Sequence, residues 1–157
     1  ALIIQGDLPA NGVDTAQTAI ALLQHAAVPI ATADVAAAYA TPYQIIADPG
    51  ANKMIIVHSY SVTTVAGVTP FANGGNAGLQ YHTTANLGGT VIGAVIANTV
   101  INNVAKVHTF RGGADLSAVA TSACVNKSVT FSNATGAFDT GNGSLLVDVW
   151  YSVVATA

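Results

Sequence analysis

The chain has 157 residues, of which 52% are hydrophobic and 7% charged; seven Asp, no Glu and four Lys or Arg give a formal net charge of -3. Average soluble domains carry about 25% charged residues, so this balance excludes an intrinsically disordered chain and argues against nucleic acid as a partner, because no basic footprint faces a phosphate backbone. The length suits one domain with a real core, whose exterior must be built from Asn, Thr, Ser, Gln and Gly or be covered by partners.

The mean hydropathy of +0.53 invites a membrane reading. The longest apolar windows, 54–57 and 91–97, fall far short of the roughly 18 to 20 residues that a spanning helix needs, so no membrane partner is expected. The start, Ala1-Leu2-Ile3-Ile4, lacks a basic region and meets Asp7 early. It is expected to be a chain trimmed of its initiator Met rather than a signal peptide. The lone Cys124 fits synthesis in a reducing cytoplasm, and its neighbours Ala123 and Val125 predict a small buried hydrophobe.

Residues 14–40 are Ala-rich. Asp14 stands as an N-cap ahead of Ala16, Ala19, Ile20 and Leu23 at helical spacing, which predicts a short helix with His25 near its end. Thr32, Asp34 and Val35 predict a second, brief helical turn bounded by Pro29. An N-terminal arm and helix over 1–27 and a β domain over 28–157 follow as the expected organisation.

From Tyr43 onward, short β-rich runs alternate with Gly, Asn, Asp and Pro, the pattern of an all-β sandwich. Strands over 43–47 and 53–65, joined by Asp48-Pro49-Gly50-Ala51-Asn52, predict a hairpin. Alternation in the second strand sets Met54, Ile56, His58, Tyr60 and Val62 on one face. Residues 71–76 read as a Gly-Asn loop and 78–84 as an alternating strand. The stretch 90–101 is ambiguous between strand and helix, with its β-branched content favouring strand. Strands over 104–110 and 127–132, with a short helix from Asp115 between them, lead to a closing strand over 144–155. There Leu145, Val147, Val149, Tyr151 and Val153 share one face, and Asp148, Trp150 and Ser152 the other. About eight strands at this spacing predict a jelly-roll-like antiparallel sandwich.

Catalytic signatures are sparse. No Ser lies in a nucleophile-elbow context. Six of the seven Asp sit beside turn or cap signals, leaving Asp148 alone in a strand. Convergence of His58, His82 and His108 could hold zinc or serve a small hydrolase, but their spacing is not that of a metal motif. No catalytic residue, metal ligand or cofactor is therefore assigned. The clusters Gly74-Gly75, Gly88-Gly89 and Gly112-Gly113 lack the Lys and Ser or Thr of a phosphate-cradling loop. Sequons at Asn126, Asn133 and Asn142 are no more than the composition produces by chance. Trp150 and Tyr151 would suit a carbohydrate platform, yet adjacent strand residues face opposite ways, so only one of them can face a ligand.

The segment Ala40-Thr41-Pro42-Tyr43-Gln44-Ile45-Ile46-Ala47-Asp48-Pro49-Gly50-Ala51-Asn52-Lys53 resembles a recurrent stretch in small structural proteins of tailed bacteriophages. Val125-Asn126-Lys127-Ser128-Val129 and 140–151 are similar to the last two strands of the same family, the capsid decoration or cement proteins. The resemblance runs over about 28–155 and departs from the pattern in the Ala-rich first 40 residues. It implies a non-enzymatic virion structural protein, a β-sandwich or jelly-roll homotrimer made in the bacterial host cytoplasm. Such a protein would sit on the outer capsid surface and bridge major capsid subunits. Leu2, Ile3 and Ile4, in an arm over 1–13, become the candidate subunit or capsid contacts. The alternative expectation is a tail or head fibre module whose 71–78 loop contacts host surface glycans.

Overall fold

The computed structural model describes residues 23–65, 67, 69–103, 108–113 and 119–156, with the backbone alone at 108–110. Its elements in chain order are β1 Gln24–Ile30, α1 Thr32–Ala37, β2 Tyr43–Ile46, β3 Lys53–Val65, β4 Ala72–Asn73, β5 Ala77–Tyr81 and β6 Thr90–Ile96. They continue with α2 Asn98–Ile101, β7 His108–Gly112, a 3₁₀ turn Thr121–Ala123, β8 Val129–Asn133, β9 Phe138–Asp139 and β10 Ser144–Ala155. The expected helix from Asp115 and the contacts Leu2, Ile3 and Ile4 lie outside the described residues.

Alternation builds the longest strand as the sequence predicts. Leu145, Val147 and Val149 of β10 are fully buried, and Tyr151 and Val153 pack against the same core. The partner β3 departs from its prediction. Trp150 pairs with Ser59 and Tyr151 with Val57, so His58 is the extra residue of a bulge. A period-two pattern flips sides at such an insertion. Ile55 and Val57 therefore face the core before it, Tyr60 and Val62 after it, whereas the alternation had placed Met54, Ile56 and His58 with Tyr60.

The strands form two four-stranded sheets, β1-β10-β3-β7 and β2-β8-β5-β6, plus the small β4-β9 pair. Every pairing is antiparallel. Leaving aside the two-residue strands, the first strand pairs with the last, the second with the second-last, and so inward to β5 with β6. The fold is thus an all-β sandwich. One sheet contributes Ile55, Tyr60, Val62 and Val147 to the core, and the other Leu79, Tyr81, Ile92, Val129 and Phe131. Each such side chain contributes about 1.5–3 kcal/mol by leaving water.

The expected hairpin of β2 and β3 does not form. β2 pairs with β8, and β3 with β10 and β7, so residues 47–52 cross from one sheet to the other. The physical reason is length: β10 supplies a partner along nearly the whole of β3, which the four residues of β2 cannot. Gly50 has the positive φ expected of it, 90°, and Asn52 adds a second at 56°. The Asn126 amide, oriented with its nitrogen toward them, donates to Asp48 Oδ1 and the Gly50 carbonyl at 3.3 Å each and ties the crossing down.

The helix expected from Asp14 lies outside the described residues up to Leu23, and only the placement of His25 near its end is corrected. Residues 24–30 are a strand, registered on β10 from Gln24 opposite Tyr151 to Ile30 opposite Leu145, and His25 lies within it. Helix propensity is a weak prior that a full ladder of cross-strand contacts overrides. β1 is an edge strand, which is where Pro29 can be tolerated. The brief turn expected at Thr32 is α1, whose Thr32 Oγ1 donates to the Gly143 carbonyl at 2.6 Å instead of capping its own helix. The ambiguous 90–101 stretch is both things in turn, strand β6 and then α2.

The sheets close on each other beside β6. Ala77 of β5 faces Ile96 and Leu79 faces Ile92, so residues 93–95 bulge out of the ladder. Gly93, at φ 67°, comes so near β7 that a Cβ there would stand 2.5 Å from the Gly112 carbonyl oxygen. Two tyrosines then brace the sheets in opposite directions: Tyr60 Oη donates to the Ala94 carbonyl at 3.1 Å, and Tyr81 Oη to the Ile55 carbonyl at 2.7 Å. Burial pushes the Tyr60 phenol up to about 12 against an opposing pull from Arg111, and pushes Tyr81 further up.

Candidate functional site

The outer faces of the two sheets have different fates. On β2-β8-β5-β6, the residues pointing away from the core include Gln80, Thr130 and Ser132, all fully buried. The connection 82–89 folds back over them. Gln80 Nε2 donates to the Thr84 carbonyl at 2.6 Å, and its Oε1 accepts from Gly89 N at 2.8 Å. Thr130 Oγ1 donates to the His82 carbonyl at 2.6 Å. Ser132 Oγ accepts from Leu87 N and donates to the Ala38 carbonyl. Polar side chains that composition alone would assign to the exterior are thus consumed as internal clamps, which is how buried polar groups avoid their desolvation cost.

On β1-β10-β3-β7, the described residues leave the outer face beside β1 partly exposed, while the outward Ser61 and Thr63 of β3 are buried. Pairing places His25 beside Trp150 and Ala27 beside Asp148. The His25 and Trp150 rings stack at a centroid distance of 4.9 Å and an angle of 22°. His25 Nε2 lies 2.9 Å from Asp148 Oδ1, with the His side chain 46% exposed and the Asp 19%. Ala27 and Pro29 are exposed around this cluster, and Leu146, Trp150 and Val154 are half-buried. Of the two residues weighed as an aromatic platform, Trp150 faces outward and Tyr151 packs against the core. Leu23, just ahead of β1, is 65% exposed and extends the apolar surface.

Chemistry on this face stops short of a catalytic constellation. His58 Nε2 sits 2.8 Å from Ser152 Oγ, but a nucleophile and base need a third group orienting the base, and Asp148 is committed to His25. Ser61, opposite Asp148 in the ladder, has a buried Oγ with no hydrogen-bond partner. His58 and His82 are not brought together in the way the zinc reading required. His58 lies on one sheet, whereas His82 follows β5 of the other and lies exposed at φ 74°. His108 pairs with Thr63, five positions from His58 along β3. Among the described residues, no three His, Cys or Asp side chains gather as metal ligands, and no helix is long and apolar enough to cross a membrane. Cys124 is buried, and desolvation pushes its thiol up.

A second feature lies at the end of the sandwich where β8 and β6 finish and β5 begins. Asn73, Gly74, Gly75, Asn98, Thr135, Gly136 and Ala137 line a cavity of about 640 Å³. Asn73, Gly74, Gly75 and Thr135 all have positive φ, at 58°, 78°, 67° and 72°. For the β-branched Thr135 that conformation costs about 1–3 kcal/mol and needs surroundings that enforce it. The enforcing residue is Asn133, fully buried, whose amide nitrogen donates to both the Gly74 and Gly136 carbonyls. Its burial also removes one of the three sequons from consideration. Phe138 packs beneath Gly74, where any Cβ would enter its ring. Sequence reading marked the Gly-Asn stretch 71–76 but not Thr135 and Gly136, which only the fold brings alongside. A smaller cavity of about 270 Å³ lies at the opposite end, against His82 and Lys127.

No protein family, no curated protein and no solved structure matches this chain.

Proposed function

We propose that this is a virion structural protein, a decoration or cement protein that binds the outer surface of a phage capsid and stabilises it by bridging major capsid subunits. The observation that carries the reading is the asymmetry between the outer sheet faces. On one, the chain's own 82–89 connection covers Gln80 and Thr130. The other leaves Trp150 among Ala27, Pro29, Leu146 and Val154, with Asp148 paired to His25. A central aromatic anchor within a weakly charged apolar rim is the composition of an interface core.

Three further points support the proposal. The nested antiparallel strand order is compatible with a jelly roll, an architecture used by viral capsid domains among others; as fold-level analogy this weighs less than the surface. The chain holds only 7% charged residues, which suits a surface hidden in an assembly better than one facing water. The sequence resemblance points the same way, toward a homotrimer whose several modest contacts add through effective concentration. Leu2, Ile3 and Ile4, which lie outside the described residues, would add to the contact.

Co-sedimentation on emptied capsids tests the proposal. Saturable binding is expected, weakened about tenfold in Trp150→Ala with an unchanged far-ultraviolet spectrum. A stable monomer that ignores capsids would overturn it. The second reading, a fibre module contacting host glycans, draws on the end cavity near the 71–78 loop. Copy number in purified particles separates the two, hundreds for a decoration protein and few for a fibre.

A further inference from the structure

We infer that the cavity at the end of the sandwich is a binding site for a neutral, hydroxyl-rich ligand of the size of one or two hexose units. The inference stands independently of capsid attachment, which uses the β1-β10 face.

Its size is within the range of small-ligand sites, roughly 300–1,000 Å³, at about 640 Å³. Its lining is what a saccharide needs and an ion does not. Asn73, Asn98 and Thr135 supply amide and hydroxyl groups, the other described lining residues are Gly and Ala, and none of these described residues is charged. Asp139 stands next to the site, where its Oδ2 accepts from Asn73 Nδ2 at 2.7 Å. That bond orients the Asn73 side chain, and the nearby carboxylate disfavours an anionic ligand. Amides and hydroxyls that can both give and accept hydrogen bonds match sugar hydroxyls, which do the same.

The site is also built rather than incidental. Its two loops belong to different parts of the chain, 73–75 and 135–137, and a single buried side chain, Asn133, holds both by their carbonyls. The Asn133 Oδ1 is left buried with no hydrogen-bond partner beneath those loops. Asn98 joins them through its neighbour Asn76, whose Oδ1 accepts from Asn98 N and whose carbonyl accepts from Ala134 N. Gly75 is required for the close fit, since a Cβ there would meet Thr135 Oγ1. A Thr held at positive φ by a buried clamp is the form that strain takes at ligand sites.

The test is nuclear magnetic resonance on the full chain with the methyl glycosides of glucose, galactose, mannose, rhamnose and N-acetylglucosamine at millimolar concentration, alongside glucuronate and sialic acid. The expected result is saturation transfer to at least one neutral glycoside. Amide shifts should be confined to 73–76, 98 and 135–137, and binding should be about tenfold weaker in Asn98→Ala and Thr135→Ala. Spectra of those variants should otherwise superpose on the parent, which separates a lost contact from a lost fold. No transfer from any neutral glycoside, shifts centred on Trp150, or stronger binding of the two acids would each overturn the assignment. Because the capsid assay reads a different face, failure here leaves the proposed capsid role standing, and the reverse.

Discussion

Tyr60 and Tyr81 each place a phenol in the core only because a backbone carbonyl of the opposite sheet receives it. Replacing Tyr81 by Phe should cost about 0.5–1.5 kcal/mol of unfolding free energy, measurable as a lower urea midpoint at unchanged slope. The same burial makes the molecule sensitive to alkali. An exposed phenol titrates near 10, whereas Tyr60 is held up to about 12. The folded state therefore keeps its proton longer than the unfolded one, so this contribution is whole below about pH 10 and disappears as pH rises through the folded value. Thermal melts should fall across that window, and Tyr60→Phe should flatten the fall. At Cys124, burial and a raised thiol predict negligible reaction with maleimide in the native protein and full reaction in denaturant; rapid native labelling would contradict the packing described.

Among the elements, β6 decides how the two sheets meet. Gly93 combines φ 67° with a close approach to Gly112 O, while a Cβ on Gly112 itself would find nothing within 4 Å. Gly93→Ala should therefore destabilise by at least about 1–2 kcal/mol from the backbone alone, and Gly112→Ala by far less. Equal effects in calorimetry would argue against the closure. Gln80→Ala should release the 82–89 connection, costing about 1–3 kcal/mol and opening that segment to protease first. The sequence made some of this legible. The closing strand was read with its true bounds and faces because period two held along its whole length. The bulge at His58 was not legible, because an insertion in register leaves no mark in composition. The hairpin error has a related cause: turn chemistry specifies a local reversal but not which strand lies next to it. The strand Gln24–Ile30 was hidden behind alanines, whose helix preference yields to pairing with β10.

For the whole molecule, scarcity of charge is resolved in two ways. Part of the uncharged polar inventory is spent inside, as Gln80, Thr130, Ser132 and Asn133 show. Among the described residues, the outer face beside β1 stays partly exposed around Trp150, with His25 laid over its ring. Neither that face nor the end cavity could be read from sequence, because each is assembled from segments far apart in the chain, 23–30 with 146–154 in one case and 73–75 with 135–137 in the other. Trp150 is the only tryptophan, so its emission reports directly on that face, and His25→Ala should alter it without a change in fold. The most direct measurement of the central claim is solution mass combined with co-sedimentation on emptied capsids, for the parent chain and Trp150→Ala. The account predicts an oligomer that saturates capsid sites and loses most of its affinity in the variant. A monomer that leaves capsids bare, or a Trp150→Ala chain that binds as well as the parent, would contradict it.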